Sequence, residues 1–127
     1  VRPCFRREDI NKLLKEIQTS NVGGILGTKL KDTVKNVENS EDIKATIDRE
    51  HLWIAQTPQI FRYGLLKKAM QFAFDNALMP TDEAQAIEHH GEKVKIIEGF
   101  AGNIKITESL DLKLAEMILS LKGGSCV

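Results

Sequence analysis

The sequence predicts an α/β fold, because helical patterns alternate with short apolar strands along one chain. Three observations carry this. Ile10, Leu13, Leu14 and Ile17 recur at i, i+3, i+4 and i+7, which is one face of a helix. Val22 to Leu26 and Leu52 to Ala55 are apolar runs of strand length, rich in β-branched and aromatic side chains. Glycine, proline or asparagine stands at nearly every change of pattern. With 127 residues, 42% of them apolar and 28% charged, the chain is long enough for one folded domain over residues 1–127.

Taken in order, residues 7–20 form the first helix, with Glu8 and Asp9 in the turn where the helix dipole favours acids. Asn21 and the Gly23-Gly24 pair end it. In the strand over 22–26, the glycines let another backbone or a ligand come close. Lys29 to Glu38 and Ile43 to Ile47 are polar, alternating stretches around the turn Asn39-Ser40-Glu41-Asp42, and they read as a projecting hairpin. An isolated hairpin is marginal in water, so this arm calls for a partner, most simply a second copy of the chain.

Asp48 to Gln59 is the densest stretch. The strand over 52–55 is expected to stop at Thr57-Pro58, since Pro58 lacks a donor and holds Thr57 out of the helical region. Arg49, Thr57 and Gln59 around a rigid turn suit an anion or a sugar phosphate; from spacing alone, an ordinary strand end with a turn is the simpler account of them. A helix over 61–77 follows, with Leu65, Leu66, Ala69, Phe72, Ala73 and Ala77 inward, and Met79-Pro80 breaks it. Thr81 is the expected N-cap of a short helix running to about His90, with Asp82 and Glu83 in its first turn as capping acids. Strands over 94–97 and 103–107 come next, with Lys105 opposite Ile104 and Ile106. Thr107 or Ser109 caps a last helix whose inward face is Leu110, Leu114, Met117, Ile118 and Leu121, ended by Gly123-Gly124.

Charge and composition exclude several classes. Eighteen basic and eighteen acidic residues give a net charge of zero, so the broad basic footprint of a nucleic-acid binder is absent, though room remains for a small basic pocket. No apolar run approaches the roughly 20 residues that span a bilayer, and no signal peptide opens the chain, so a cytoplasmic protein is expected. Cys4 and Cys126 read as reduced thiols, and His51, His89 and His90 form no metal motif. In such folds ligands collect beyond the carboxyl ends of the strands, and Arg2, Thr57, Thr81 and Lys105 all stand at strand or loop ends.

R-P-C at 2–4, K-D-T-V-K at 31–35, L-W-I-A-Q-T-P-Q-I-F at 52–61, T-D-E-A at 81–84, E-G at 98–99 and N-I-K-I-T at 103–107 occur in an order that resembles the 2-C-methyl-D-erythritol 4-phosphate cytidylyltransferase family. The likeness covers nearly the whole chain but only about the second half of the family's length. It implies a partial Rossmann-like nucleotidyltransferase sheet with helices on both faces, and a β-arm over residues 29–55 through which subunits pair as a homodimer. The implied reaction joins CMP from CTP to 2-C-methyl-D-erythritol 4-phosphate with release of pyrophosphate, using Mg2+, in the cytoplasm, or in the plastid of a plant or alga. Arg2, Thr57, Thr81 and Lys105 match pocket positions. Thr33 and Arg49 match arm residues that reach into a neighbouring subunit's pocket. Lys105, Arg49 and Thr57 are the expected catalytic residues; as plain surface groups, Lys105 would be solvated and Arg49 would pair with Asp48 or Glu50. The family's Gly-rich nucleotide loop and its metal-binding Asp are expected upstream of Val1, so these 127 residues alone are expected to bind neither CTP nor catalytic Mg2+. Two other readings are a ribitol-5-phosphate cytidylyltransferase, from which L-W-I-A-Q-T-P-Q-I-F and T-D-E-A depart, and a non-catalytic truncated module that only dimerises through the arm.

Overall fold

The computed structural model describes residues 1–39 and 41–121; Ser40, Gly123, Gly124 and Cys126 lie outside the described residues. Helix α1 spans Arg7–Ser20 and leads into strand β1, Gly23–Lys29. Strands β2 (Val34–Val37) and β3 (Ile43–Ile47) follow, then β4 (Trp53–Phe61). Helices α2 (Tyr63–Asp75) and α3 (Glu83–His89), strand β5 (Lys95–Glu98) and helix α4 (Ser109–Leu121) complete the order. The expected α/β architecture is present. One sheet has the order β4-β1-β5, with β4 antiparallel and β5 parallel to β1. The second sheet is the hairpin β2-β3.

Strand β1 is the buried centre of the larger sheet, with neighbours on both sides. Gly23 stands at φ 130°, and a Cβ there would collide with the Ile60 carbonyl and the Phe61 backbone, so the turn out of α1 admits only glycine. Asn21 closes α1 in the left-handed conformation at φ 59°, as its place before the glycines suggests. Helix α1 presses Leu13, fully buried, onto the sheet, while Leu14 is turned outward. Asp9 stands in the first turn as expected and is also buried: it accepts from the Phe100 amide at 3.1 Å and from the Lys12 ammonium at 3.0 Å. Helices α2 and α3 meet through small residues. Ala69, Ala86 and Ile87 are fully buried, and Val22, Phe61, Leu65, Leu66 and Val94 pack around them.

The structure corrects several further expectations. Strand β4 does not stop at Pro58 but continues to Phe61. Ile25 of β1 pairs with Gln59 and Leu26 with Gln56, so Thr57 and Pro58 are extra residues bulged from the ladder, joined by a cis peptide bond. A bulge has no ladder position for the missing proline donor to spoil. Residues 103–107 make no ladder: side chains hold much of this segment, together with two backbone bonds, from the Asn103 amide to the Phe100 carbonyl at 3.0 Å and from the Ile106 amide to the Val1 carbonyl at 2.9 Å. Helix α4 turns Ala115 inward, with Ile118 and Leu119 half-buried, whereas Leu110, Leu114, Met117 and Leu121 are exposed. Small Ala115 lets the helix backbone approach the buried Cys4 thiol, which donates to the Ala115 carbonyl. The N-cap of α3 is Asp82, not Thr81: its Oδ1 accepts from the Gln85 amide at 2.9 Å.

The arm grows directly from the larger sheet. Lys29 pairs with Trp53, and the Leu30 amide donates to the Leu52 carbonyl just beyond the ladder. Strands β2 and β3 then run out as the hairpin, with Val37 and Ile43 exposed.

Candidate active site

The bulge in β4, the turn before α3 and the segment 103–107 converge on one open cleft of about 520 Å³. Arg2, Thr57, Thr81 and Lys105 all line it, together with Gln59, Asp82 and Glu83. Positions drawn from both ends of the chain and from its middle are thus brought together. The bulge is what turns Thr57 to this use, because a regular strand would have kept the position in the ladder.

The cleft groups differ in how far they are already engaged. Among the described residues no hydrogen bond or ion pair holds the Lys105 ammonium, and none holds the Thr57 or Thr81 hydroxyl. Arg2 is partly engaged: its guanidinium donates to the Asn103 and Ala55 carbonyls, fastening segment 103–107 to β4. Burial pushes the Arg2 guanidinium below its ordinary pKa, yet a group that titrates so high stays charged in neutral water. Two of its five N–H donors are used, which leaves others for an anion. Gln59, expected as an open amide tip, is closed at both ends, donating to Asp82 Oδ2 at 2.9 Å and accepting from the Ala84 amide at 3.1 Å. Two hydroxyls, one uncommitted ammonium and a half-committed guanidinium suit a polyol phosphate.

Thr33 and Arg49 are not in this cleft. They flank the hairpin at its base, next to β2 and β3, on the arm rather than in the chain's own pocket. Arg49 pairs with neither Asp48 nor Glu50; it donates to the Lys31 carbonyl, and Asp48 accepts from the Glu50 amide.

The family model for 2-C-methyl-D-erythritol 4-phosphate cytidylyltransferase matches residues 1–121. The chain belongs to this family. Among curated relatives, the 2-C-methyl-D-erythritol 4-phosphate cytidylyltransferase of Aliivibrio fischeri strain MJ11 is 46% identical over 119 residues, which is 94% of this chain and 50% of that protein. The protein of the same name from Acinetobacter baumannii strain SDF is 47% identical over the same shares. The chain therefore spans about half the length of the curated relatives it matches. Among solved structures, the Francisella tularensis cytidylyltransferase superposes with a TM-score of 0.85 at 38% identity, covering 93% of this chain and 55% of that one. The Thermus thermophilus cytidylyltransferase gives 0.80 at 31% identity, covering 94% and 58%.

Two carboxylates, Asp82 and Glu83, line the cleft. Asp82 has both oxygens committed, to the Gln85 amide and the Gln59 carboxamide, which leaves Glu83 as the one open carboxylate lining the cleft among the described residues. No cluster of three His, Cys, Asp or Glu side chains able to hold a metal occurs among the described residues.

Sequence reasoning missed the polar residues beneath the cleft. Gln56 is 4% exposed and Asn103 fully buried. Gln56 donates to the Phe100 and Asn103 carbonyls at 3.3 Å each, and Asn103 donates to the Thr57 carbonyl at 2.8 Å. Their signal was an amide side chain inside an apolar strand and another opening an alternating apolar run.

Proposed function

We propose that this chain supplies the polyol-phosphate side of a cytidylyltransferase that joins CMP from CTP to 2-C-methyl-D-erythritol 4-phosphate and releases pyrophosphate. The observation that carries this reading is the convergence of Arg2, Thr57, Thr81 and Lys105 on one cleft. The nucleophile is an oxygen of the substrate's own phosphate, ionised at neutral pH. It attacks the α-phosphorus of CTP, a P–O bond forms, and the bond to the pyrophosphate leaving group breaks. No Ser, Cys or His nucleophile is needed. The protein's share is in-line placement and neutralisation of crowded negative charge. Lys105 sits as a point charge for the reacting phosphates, and Thr57 and Thr81 offer hydroxyls to the phosphate or polyol.

The arm enters through a second copy. Arg49 and Thr33 of each subunit complete the neighbour's cleft, with Arg49 gripping the polyol phosphate in a bidentate manner. The free-standing two-stranded hairpin with exposed Val37 and Ile43 supports a homodimer through this arm. In the complete enzyme, of which a chain half the length of its relatives would be a part, CTP and Mg2+ are bound chiefly by the other half, in the cytoplasm or, in a plant or alga, the plastid.

The test joins this chain to the remaining half of the Aliivibrio fischeri relative and follows pyrophosphate release from CTP, Mg2+ and the polyol phosphate. Turnover with methylerythritol phosphate, and none from the 127-residue chain alone, is expected. A folded chimera that is inactive, or that prefers ribitol 5-phosphate, overturns the reading.

A further inference from the structure

We propose that Asn103 is a positioning residue whose carboxamide sets the distance between Thr57 and Lys105 across the cleft. This rests on the reading of the cleft as a polyol-phosphate site.

Lys105 stands on a segment with no strand partner among the described residues, so nothing in a sheet ladder fixes where its ammonium lies. Asn103, two residues earlier, ties the segment on one side of Lys105, as the Ile106 amide bond to the Val1 carbonyl does on the other. Its Nδ2 donates to the Thr57 carbonyl at 2.8 Å, which ties the segment to the bulge. Its main-chain carbonyl accepts from Arg2 and from Gln56 Nε2, so one fully buried residue joins the N-terminal residues, β4 and the segment 103–107. The bulge is also where β4 leaves its register, so the Thr57 carbonyl has no ladder pairing in that step and the carboxamide serves in its place. Binding that depends on two groups held at a set spacing is lost when the spacing drifts by about an ångström. A cleft with a mobile Lys105 would still carry the right charge but would hold a phosphate poorly.

The experiment compares wild type, Asn103→Ala and Asn103→Leu in the chimeric enzyme, by thermal melts, by backbone order parameters at Lys105 and by steady-state kinetics with 2-C-methyl-D-erythritol 4-phosphate. Asn103→Leu keeps much of the volume and removes the donor without burying a charge, so it decides the matter should Asn103→Ala fail to fold. Expected are a retained melting transition, lowered order parameters at Lys105, and kcat/KM for the polyol phosphate lowered roughly tenfold or more. A folded Asn103→Leu enzyme with wild-type order parameters at Lys105, or with wild-type kcat/KM, overturns the proposal. Should the wild-type chimera itself not turn over, the reading of the cleft falls, and the order parameters alone still decide whether Asn103 holds Lys105 in place.

Discussion

Gln59 on β4 donates through Nε2 to Asp82 Oδ2 at 2.9 Å, and through this bond the strand carrying Thr57 is locked to the turn carrying Thr81. The same side chain accepts from the Ala84 amide, so it also satisfies one of the open donors at the start of α3. Gln59→Ala is expected to cost about 1–2 kcal/mol of stability, read as a shift in the denaturant midpoint at unchanged slope. Gln59→Glu is expected to cost more, since the new carboxylate would face Asp82 at hydrogen-bond distance in a half-buried place. Equal stability of the two variants would show that the contact with Asp82 carries no weight.

Lys105 is exposed and makes no side-chain hydrogen bond or ion pair among the described residues, so its removal should separate function from stability. Lys105→Met is expected to shift stability by no more than about 0.5 kcal/mol. In the chimeric enzyme kcat should fall by roughly 10²–10³ if the ammonium meets charge that develops in the transition state. A rise in KM at constant kcat would instead make Lys105 a ground-state binding group.

Local pattern makes much of this fold legible, and tertiary pairing decides the rest. The α1 periodicity, the Asn21 stop and the glycine-rich β1 depend on neighbours in sequence, so they can be read there. That β4 runs through Pro58 depends on β1 opposite it, which tolerates the two bulged residues; proline alone reads as a stop. The inward face of α4 is set by what lies beneath it, where Cys4 leaves room for Ala115 and not for Leu114. That Arg2, Thr57, Thr81 and Lys105 line one cleft is legible mainly because the chain resembles a known family, since spacing does not give distances across a sheet. Asn103 and Gln56 escape a reading of the sequence because a buried amide declares itself only once its carbonyl partners are placed.

Arg49 donates to the Lys31 carbonyl at the base of the arm and so braces the hairpin, while in the proposed dimer its remaining donors serve the neighbour. Arg49→Ala in the chimeric enzyme is expected to raise KM for methylerythritol phosphate roughly tenfold and leave CTP binding unchanged. Replacing exposed Val37 and Ile43 by serine should lower the dimer population in sedimentation without unfolding the larger sheet. An unchanged KM would remove Arg49 from the site, and a dimer indifferent to Val37 and Ile43 would place the subunit contact elsewhere.

Asp111 accepts from the Thr107 amide, the Glu108 amide and the Thr107 hydroxyl, each at 3.0 Å, and so holds the start of α4 by reaching back over it. This reverses the expected capping, in which the Thr107 or Ser109 hydroxyl would have accepted from the helix. Hydrogen bonds from the Thr107 amide first, then from the Glu108 amide and the Thr107 hydroxyl, hold the Asp111 carboxyl below its ordinary pKa, with desolvation opposing them weakly. A folded pKa below the unfolded one means that the unfolded chain binds the proton more readily. The contribution is therefore fully present above the unfolded value of about 4 and is lost as pH falls through the lower folded value. Asp111→Ala is expected to melt below wild type at pH 7, with the two melting temperatures drawing together as the pH is lowered from about 4 towards 2. Parallel melting curves across that range would mean that the carboxylate's charge does not stabilise the start of α4.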